Sequence, residues 1–188
     1  MNLGNVITLT ETAVDRALPK IEAGLHKYCW IQDNVQRCDV RRDQNFQKRY
    51  NDFYKVRRGS EWRRQYYELM QMAKGQKITY PQALRAMIDR THRIEASFTS
   101  KLIATLDPTK PVVDKFVLNN FGLHLPFHYA ANRESKTIQV YDELCRKYED
   151  LMGDPIAEMI CDKFVQMYPW ANITDLKKVD LVLWQIRK

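Results

Sequence analysis

Apolar residues recur along this chain three and four positions apart, and no stretch of useful length alternates as a strand would. A first helix is expected after Thr10, running through Ala13, Ala17, Ile21, Leu25 and Tyr28 with a bend at Pro19. A second covers residues 43–54, with Phe46, Tyr50, Phe53 and Tyr54 on one stripe. Gly59-Ser60 breaks the chain, residues 61–74 form a third helix, and Gly75 ends it. Thr79 caps a fourth over residues 81–90. Leu102, Ile103 and Leu106 mark another, which runs into a proline-rich turn before Pro111-Val112-Val113-Asp114 opens the next. Asp114 is expected at that helix's N-terminus, where unpaired backbone N–H groups favour a carboxylate. Residues 132–152 make a long amphipathic helix, and Gly153-Asp154-Pro155 reads as a stop, an N-cap and a first-turn proline. A further helix carries Ile156, Met159, Ile160 and Phe164, and the last begins at Thr174. The predicted class is all-α, of roughly eight to ten helices.

Composition supports this class. A chain of 188 residues with 45% hydrophobic and 11% aromatic content can bury a core, and 6 glycines and 7 prolines are too few for the turns of a β-sandwich. No run approaches the ~18 apolar residues that cross a bilayer. Met1-Asn2-Leu3-Gly4-Asn5 lacks the character of a signal peptide, so a soluble cytoplasmic protein without a membrane partner is expected. Cys29, Cys38, Cys145 and Cys161 form no CxxC pair, and Pro126 separates His124 from His128. Neither set has metal-ligand spacing, and no metal or cofactor is expected.

The charge of +7 is concentrated. Residues 37–64 hold ten basic side chains (Arg37, Arg41, Arg42, Lys48, Arg49, Lys55, Arg57, Arg58, Arg63 and Arg64) against four acidic ones (Asp39, Asp43, Asp52 and Glu61). Tyr50, Phe53, Tyr54, Trp62, Tyr66 and Tyr67 are interleaved with them. Clustered cations fit a phosphate backbone and aromatics can stack on exposed bases. The competing reading is an aromatic core beneath a solvated helix face.

The stretch from Lys101 to Leu123, KLIATLDPTKPVVDKFVLNNFGL, resembles the second half of the helix-hairpin-helix DNA glycosylases, the superfamily of endonuclease III and adenine-DNA glycosylase. The matching elements are a post-hairpin helix over residues 100–106, a loop ending in Pro-Val-x-Asp at Asp114, and a helix closing on Gly122-Leu123. The resemblance implies a helical fold of two lobes, one of residues 40–125 bearing the hairpin and one built from residues 1–39 and 126–188. It also implies a DNA partner, a duplex with a flipped base, and a nucleoid-associated location. Asp114 would be the catalytic carboxylate that stabilises the cationic sugar as a base leaves. Arg90 and Arg93 would meet DNA at the hairpin, Lys101 and Lys115 would reach phosphates beside it, and Arg57 and Arg58 belong to the basic segment.

The chain departs from that family at the hairpin itself. Residues 90–98 read Arg-Thr-His-Arg-Ile-Glu-Ala-Ser-Phe, with no glycine where the family's glycines let backbone N–H groups approach a phosphate. Lys101 falls too late for a Schiff-base lysine, and Glu95 is an acid where a DNA backbone is expected. Two alternatives stand beside the glycosylase reading: a non-catalytic nucleic-acid-binding module on the same fold, and a helical adaptor whose basic face meets an acidic protein. Oligomeric state and the base recognised leave no mark in the sequence.

Overall fold

A computed structural model describes residues 9–186, and the regular structure among them is entirely helical. In chain order the helices are α1 (Glu11–Ala17), α2 (Glu22–Val35), α3 (Gln44–Tyr54), α4 (Ser60–Ala73), α5 (Tyr80–Thr91), α6 (Ala96–Leu106), α7 (Lys115–Asn120), α8 (Arg133–Met152), α9 (Pro155–Met167) and α10 (Asp175–Gln185). None of them is long and apolar enough to cross a membrane. Residues 1–8, on which the signal-peptide reading rests, and residues 187–188 lie outside the described residues.

Helix starts follow the capping chemistry of the sequence. Thr10 Oγ1 accepts from Ala13 N–H, Asp43 from Phe46 N–H, Asp154 from Ile156 N–H and Thr174 from Lys177 N–H. Thr79 and Gln82 form a reciprocal capping box at α5. Each such cap contributes about 1 kcal/mol. Pro19 cannot donate to a helix ladder, so the backbone tightens into a 3-10 turn at Leu18–Lys20 and re-enters an α-helix at Glu22.

The chain divides into two compact units, residues 23–107 and residues 1–22 with 108–188. These boundaries differ from the 40–125 division implied by the family resemblance. Tyr28 on α2 meets Phe53 on α3 with rings tilted by 45°, and Gln32 reaches Thr105 O, so α2 belongs with the 23–107 unit. The Asp114 segment belongs with the other: Thr174 Oγ1 donates to Pro108 O at 2.8 Å, and Asn120 Nδ2 to Leu183 O at 2.8 Å.

The core of the 23–107 unit is unusually rich in tyrosine. Tyr50, Tyr66 and Tyr67 are fully buried with Phe46, Leu25, Ile31 and Met70. Their hydroxyls stay satisfied: Tyr66 donates to Phe98 O, which makes Tyr50 the donor to Tyr66 at 2.8 Å, and Tyr67 donates to Asn51 Oδ1 at 2.7 Å. These bonds fasten α3, α4 and α6 together, so the aromatics interleaved with the basic run are largely core. In the other unit, Val14, Leu18, Ile21, Leu144, Ile160, Phe164 and Val182 are all buried. Tyr168 closes that unit by donating to Leu18 O at 2.7 Å, and Lys163 pairs with both Glu11 and Asp15 at 2.8 Å.

Helices α5 and α6 are joined by the four residues His92 to Glu95. His92 adopts the left-handed conformation, φ 54° and ψ 30°, so the glycine-free stretch still makes a tight helix–turn–helix. A left-handed non-glycine residue costs roughly 1–2 kcal/mol, partly offset by the greater unfolded-state freedom of glycine. His92→Gly is therefore expected to stabilise the protein by about 0.5–1 kcal/mol, read as a higher urea midpoint with an unchanged slope. A lower midpoint would mean that the imidazole contributes more than its backbone costs.

Candidate functional site

The α5–α6 turn is where the sequence-nominated cations converge. Arg58 Nη2 lies 2.9 Å from Glu95 Oε2, an ion pair tying the chain before α4 to the residue that begins α6. Glu95 is only 7% exposed, so the acid expected to face a DNA backbone is turned inward and neutralised. Arg57 and Arg93 flank this pair in sequence; both are exposed and neither has a hydrogen bond or ion pair among the described residues. Arg90, in the last turn of α5, is half-buried, with Nη2 3.2 Å from Met72 Sδ.

Beneath the turn, cations and rings interlock. Phe98 lies under both the Arg58 guanidinium (5.3 Å) and the Lys101 ammonium (5.0 Å). Lys101 also donates to Tyr54 O at 3.2 Å, and Trp62 stacks on Tyr66 with its edge contact to Phe98 at 4.9 Å. Arg58 and Lys101 therefore act inside the unit, holding the turn, and Arg57 and Arg93 are the cations presented outward. Arg58 Nε, Trp62 Nε1, Glu95 Oε1 and Thr99 Oγ1 are buried here without a hydrogen bond among the described residues.

The first turn of α6 adds to the positive character. Glu95 occupies its N-cap position, yet the side chain makes no capping hydrogen bond, being engaged by Arg58 instead. The first backbone N–H groups of this eleven-residue helix thus lack a side-chain cap.

The basic run behind the turn is partly self-neutralised. Arg41 forms a two-point pair with Asp39, whose carboxyl its hydrogen bonds hold at about 2. Arg64 bridges Glu61 and Glu68, and its hydrogen bonds likewise hold Glu61 at about 2. Lys27 and Lys55 share Asp52. Arg49 lies 4.3 Å over the Trp30 ring. Arg37, Lys48, Arg57 and Arg63 carry no ion pair among the described residues. The 23–107 unit holds 17 basic and 9 acidic residues, a charge of +8, so it carries the whole positive balance of the chain.

Asp114 and Lys115 lie in the other unit. Asp114 is the N-cap of α7, Oδ1 accepting from Phe116 N–H at 2.8 Å, while Oδ2 accepts no hydrogen bond among the described residues. Buried Val112 and Val113 hold the approach to it, and Gly122, at φ 67°, turns the chain out of α7. Lys115 is exposed.

Close by is a buried polar chain that sequence reasoning missed. Tyr148 on α8 donates to Asp180 Oδ1 at 2.7 Å, and Lys177 Nζ lies 2.5 Å from Asp180 Oδ2. Lys177 and Asp180 are 6% and 5% exposed. Burial, then the charge of Asp180, pushes the Tyr148 phenol well up, and Asp114 is near enough to add to that shift. The available signal was the i, i+3 Lys–Asp pair, which the sequence does not separate from the exposed i, i+3 pair of Asp175 and Lys178 on the same helix.

All four cysteines are half-buried thiols, and burial pushes Cys161 up to about 11. No group of three or more His, Cys, Asp or Glu among the described residues is placed to hold a metal ion. The chain matches no protein-family model, no curated protein and no solved structure.

Proposed function

We propose that this protein binds nucleic acid through the α5–α6 turn, with Arg57 and Arg93 as its outward phosphate contacts. The carrying observation is the Arg58–Glu95 pair, which removes the one acid from the turn and leaves exposed cations on either side of it. The uncapped first turn of α6 favours an anion at the same place, and the +8 unit charge favours a polyanion over a neutral partner. Arg58 and Lys101 take supporting roles in this reading, holding the turn from beneath.

Base excision at Asp114 extends the reading to chemistry. In its favour is a carboxylate fixed by one oxygen and uncommitted at the other, as charge stabilisation at a departing base requires. The test is single-turnover release of free base from duplexes carrying a panel of modified bases. Release by the wild type that disappears in Asp114→Asn, with DNA affinity retained, is the expected result for a monofunctional glycosylase. Salt-sensitive binding without release from any substrate makes the protein a non-catalytic binder on the same fold. Absence of both overturns the nucleic-acid reading and leaves the basic unit to an acidic protein partner.

A further inference from the structure

The segment between α7 and α8 presents an aromatic surface that the turn-based reading does not use. Ala130 N–H donates to Phe127 O at 3.0 Å, closing a turn over Phe127, His128, Tyr129 and Ala130. That turn sets the Phe127 and Tyr129 rings parallel, 1° apart in plane with centroids 5.5 Å apart, and His128 meets Tyr129 edge-on at 5.0 Å. Phe127 is 70% exposed and Tyr129 74%, the two most exposed large apolar side chains among the described residues. Along the chain from His124 to Lys136 the formal charge is +1, Arg133 and Lys136 against Glu134.

We propose that Phe127 and Tyr129 are a stacking platform for an unpaired nucleobase, so that this protein prefers single-stranded or locally opened nucleic acid to intact duplex. The proposal rests on the nucleic-acid reading and names the form of the ligand. Two parallel, mutually stacked rings held by a turn form a short stack already ordered before binding, and a base can extend that stack on an outer ring face because every base has a matching π-face. Arg133 and Lys136, a few residues on in the chain, suit the phosphates on either side of a stacked base and give a purely apolar protein partner nothing to pair with.

The experiment measures affinity of the full chain for one mixed-sequence oligodeoxynucleotide, single-stranded and as its duplex, across a salt series. Phe127→Ala and Tyr129→Ala are each expected to weaken single-strand binding by about 5- to 100-fold, with duplex affinity and the salt slope unchanged. Phe127→Trp is expected to keep wild-type affinity and to show fluorescence quenched by the single strand. Both side chains are exposed, so the fold should tolerate these changes; unchanged circular dichroism and urea midpoint check this. Alanine variants that bind like wild type, with salt-sensitive binding intact, overturn the platform and spare the turn. Equal losses on single strand and duplex also overturn it, because they reduce the loop to a backbone contact. Wild-type self-association abolished by Phe127→Ala, without any effect on DNA, makes the surface a contact between copies. If wild type binds neither oligonucleotide form, the nucleic-acid reading itself falls and the platform falls with it.

Discussion

Asp180→Ala is expected to cost about 3–5 kcal/mol of stability, the usual penalty for breaking a buried ion pair from one side. The carboxylate serves two buried groups, accepting from Tyr148 OH at 2.7 Å and pairing with Lys177 Nζ at 2.5 Å. Its removal leaves an ammonium without that counter-charge and a phenol without its acceptor, both in the interior. Tyr148→Phe alone removes one charge-assisted hydrogen bond and should cost less, about 1.5–3 kcal/mol. The informative comparison is the triple variant Tyr148→Phe, Lys177→Met, Asp180→Leu, which removes every member at similar volume. It should lie within about 1–2 kcal/mol of wild type, because the desolvation cost of the charges disappears with their attraction. Urea unfolding of the three variants measures all of these at once. A loss under about 1 kcal/mol for Asp180→Ala would mean that water reaches Lys177 and that the pair is effectively a surface one.

This network also shows where sequence reading stops. Helix boundaries were legible because they depend on neighbouring residues: Thr79, Asp114 and Asp154 cap the helices they were expected to cap, and Thr10, Asp43 and Thr174 supply the caps where helices were expected to begin. The inward face of α10 was less legible. Apolar Leu176 is only half-buried, whereas Lys177 is buried along with Val179 and Asp180. Periodicity places apolar residues inward and has no way to register a cation whose charge is met by a partner one turn away. Among the candidate cations, Arg57 and Arg58 are adjacent and chemically identical, and only the tertiary position of Glu95 separates the exposed one from the paired one. The aromatic pair at Phe127 and Tyr129 was equally unreadable, since their parallel stacking goes with a turn hydrogen bond in an irregular loop. The α5–α6 stretch has no glycine, and the structure makes its tight turn by placing His92 in the left-handed region.

The second large effect is the salt dependence of nucleic-acid affinity. Arg37, Lys48, Arg57, Lys77 and Arg93 are exposed cations of the 23–107 unit without an ion pair among the described residues. If all five meet phosphates, the slope of log affinity against log salt is about −4.5, and affinity falls roughly 500-fold between 50 and 200 mM salt. Arg41 and Arg64 should add little, because moving them to a phosphate first breaks their pairs with Asp39 and Glu61. The double variant Arg57→Ala, Arg93→Ala should shallow the slope by about 1.8 and weaken binding evenly across sequences, as loss of two backbone contacts does. Arg41→Ala and Arg64→Ala are the matched controls, each removing one positive charge at a self-neutralised position. Equal effects from all four positions would show that only net charge attracts the ligand. An effect confined to Arg57 and Arg93 would place the contact at the α5–α6 turn, because general attraction follows total charge and a docked phosphate follows geometry.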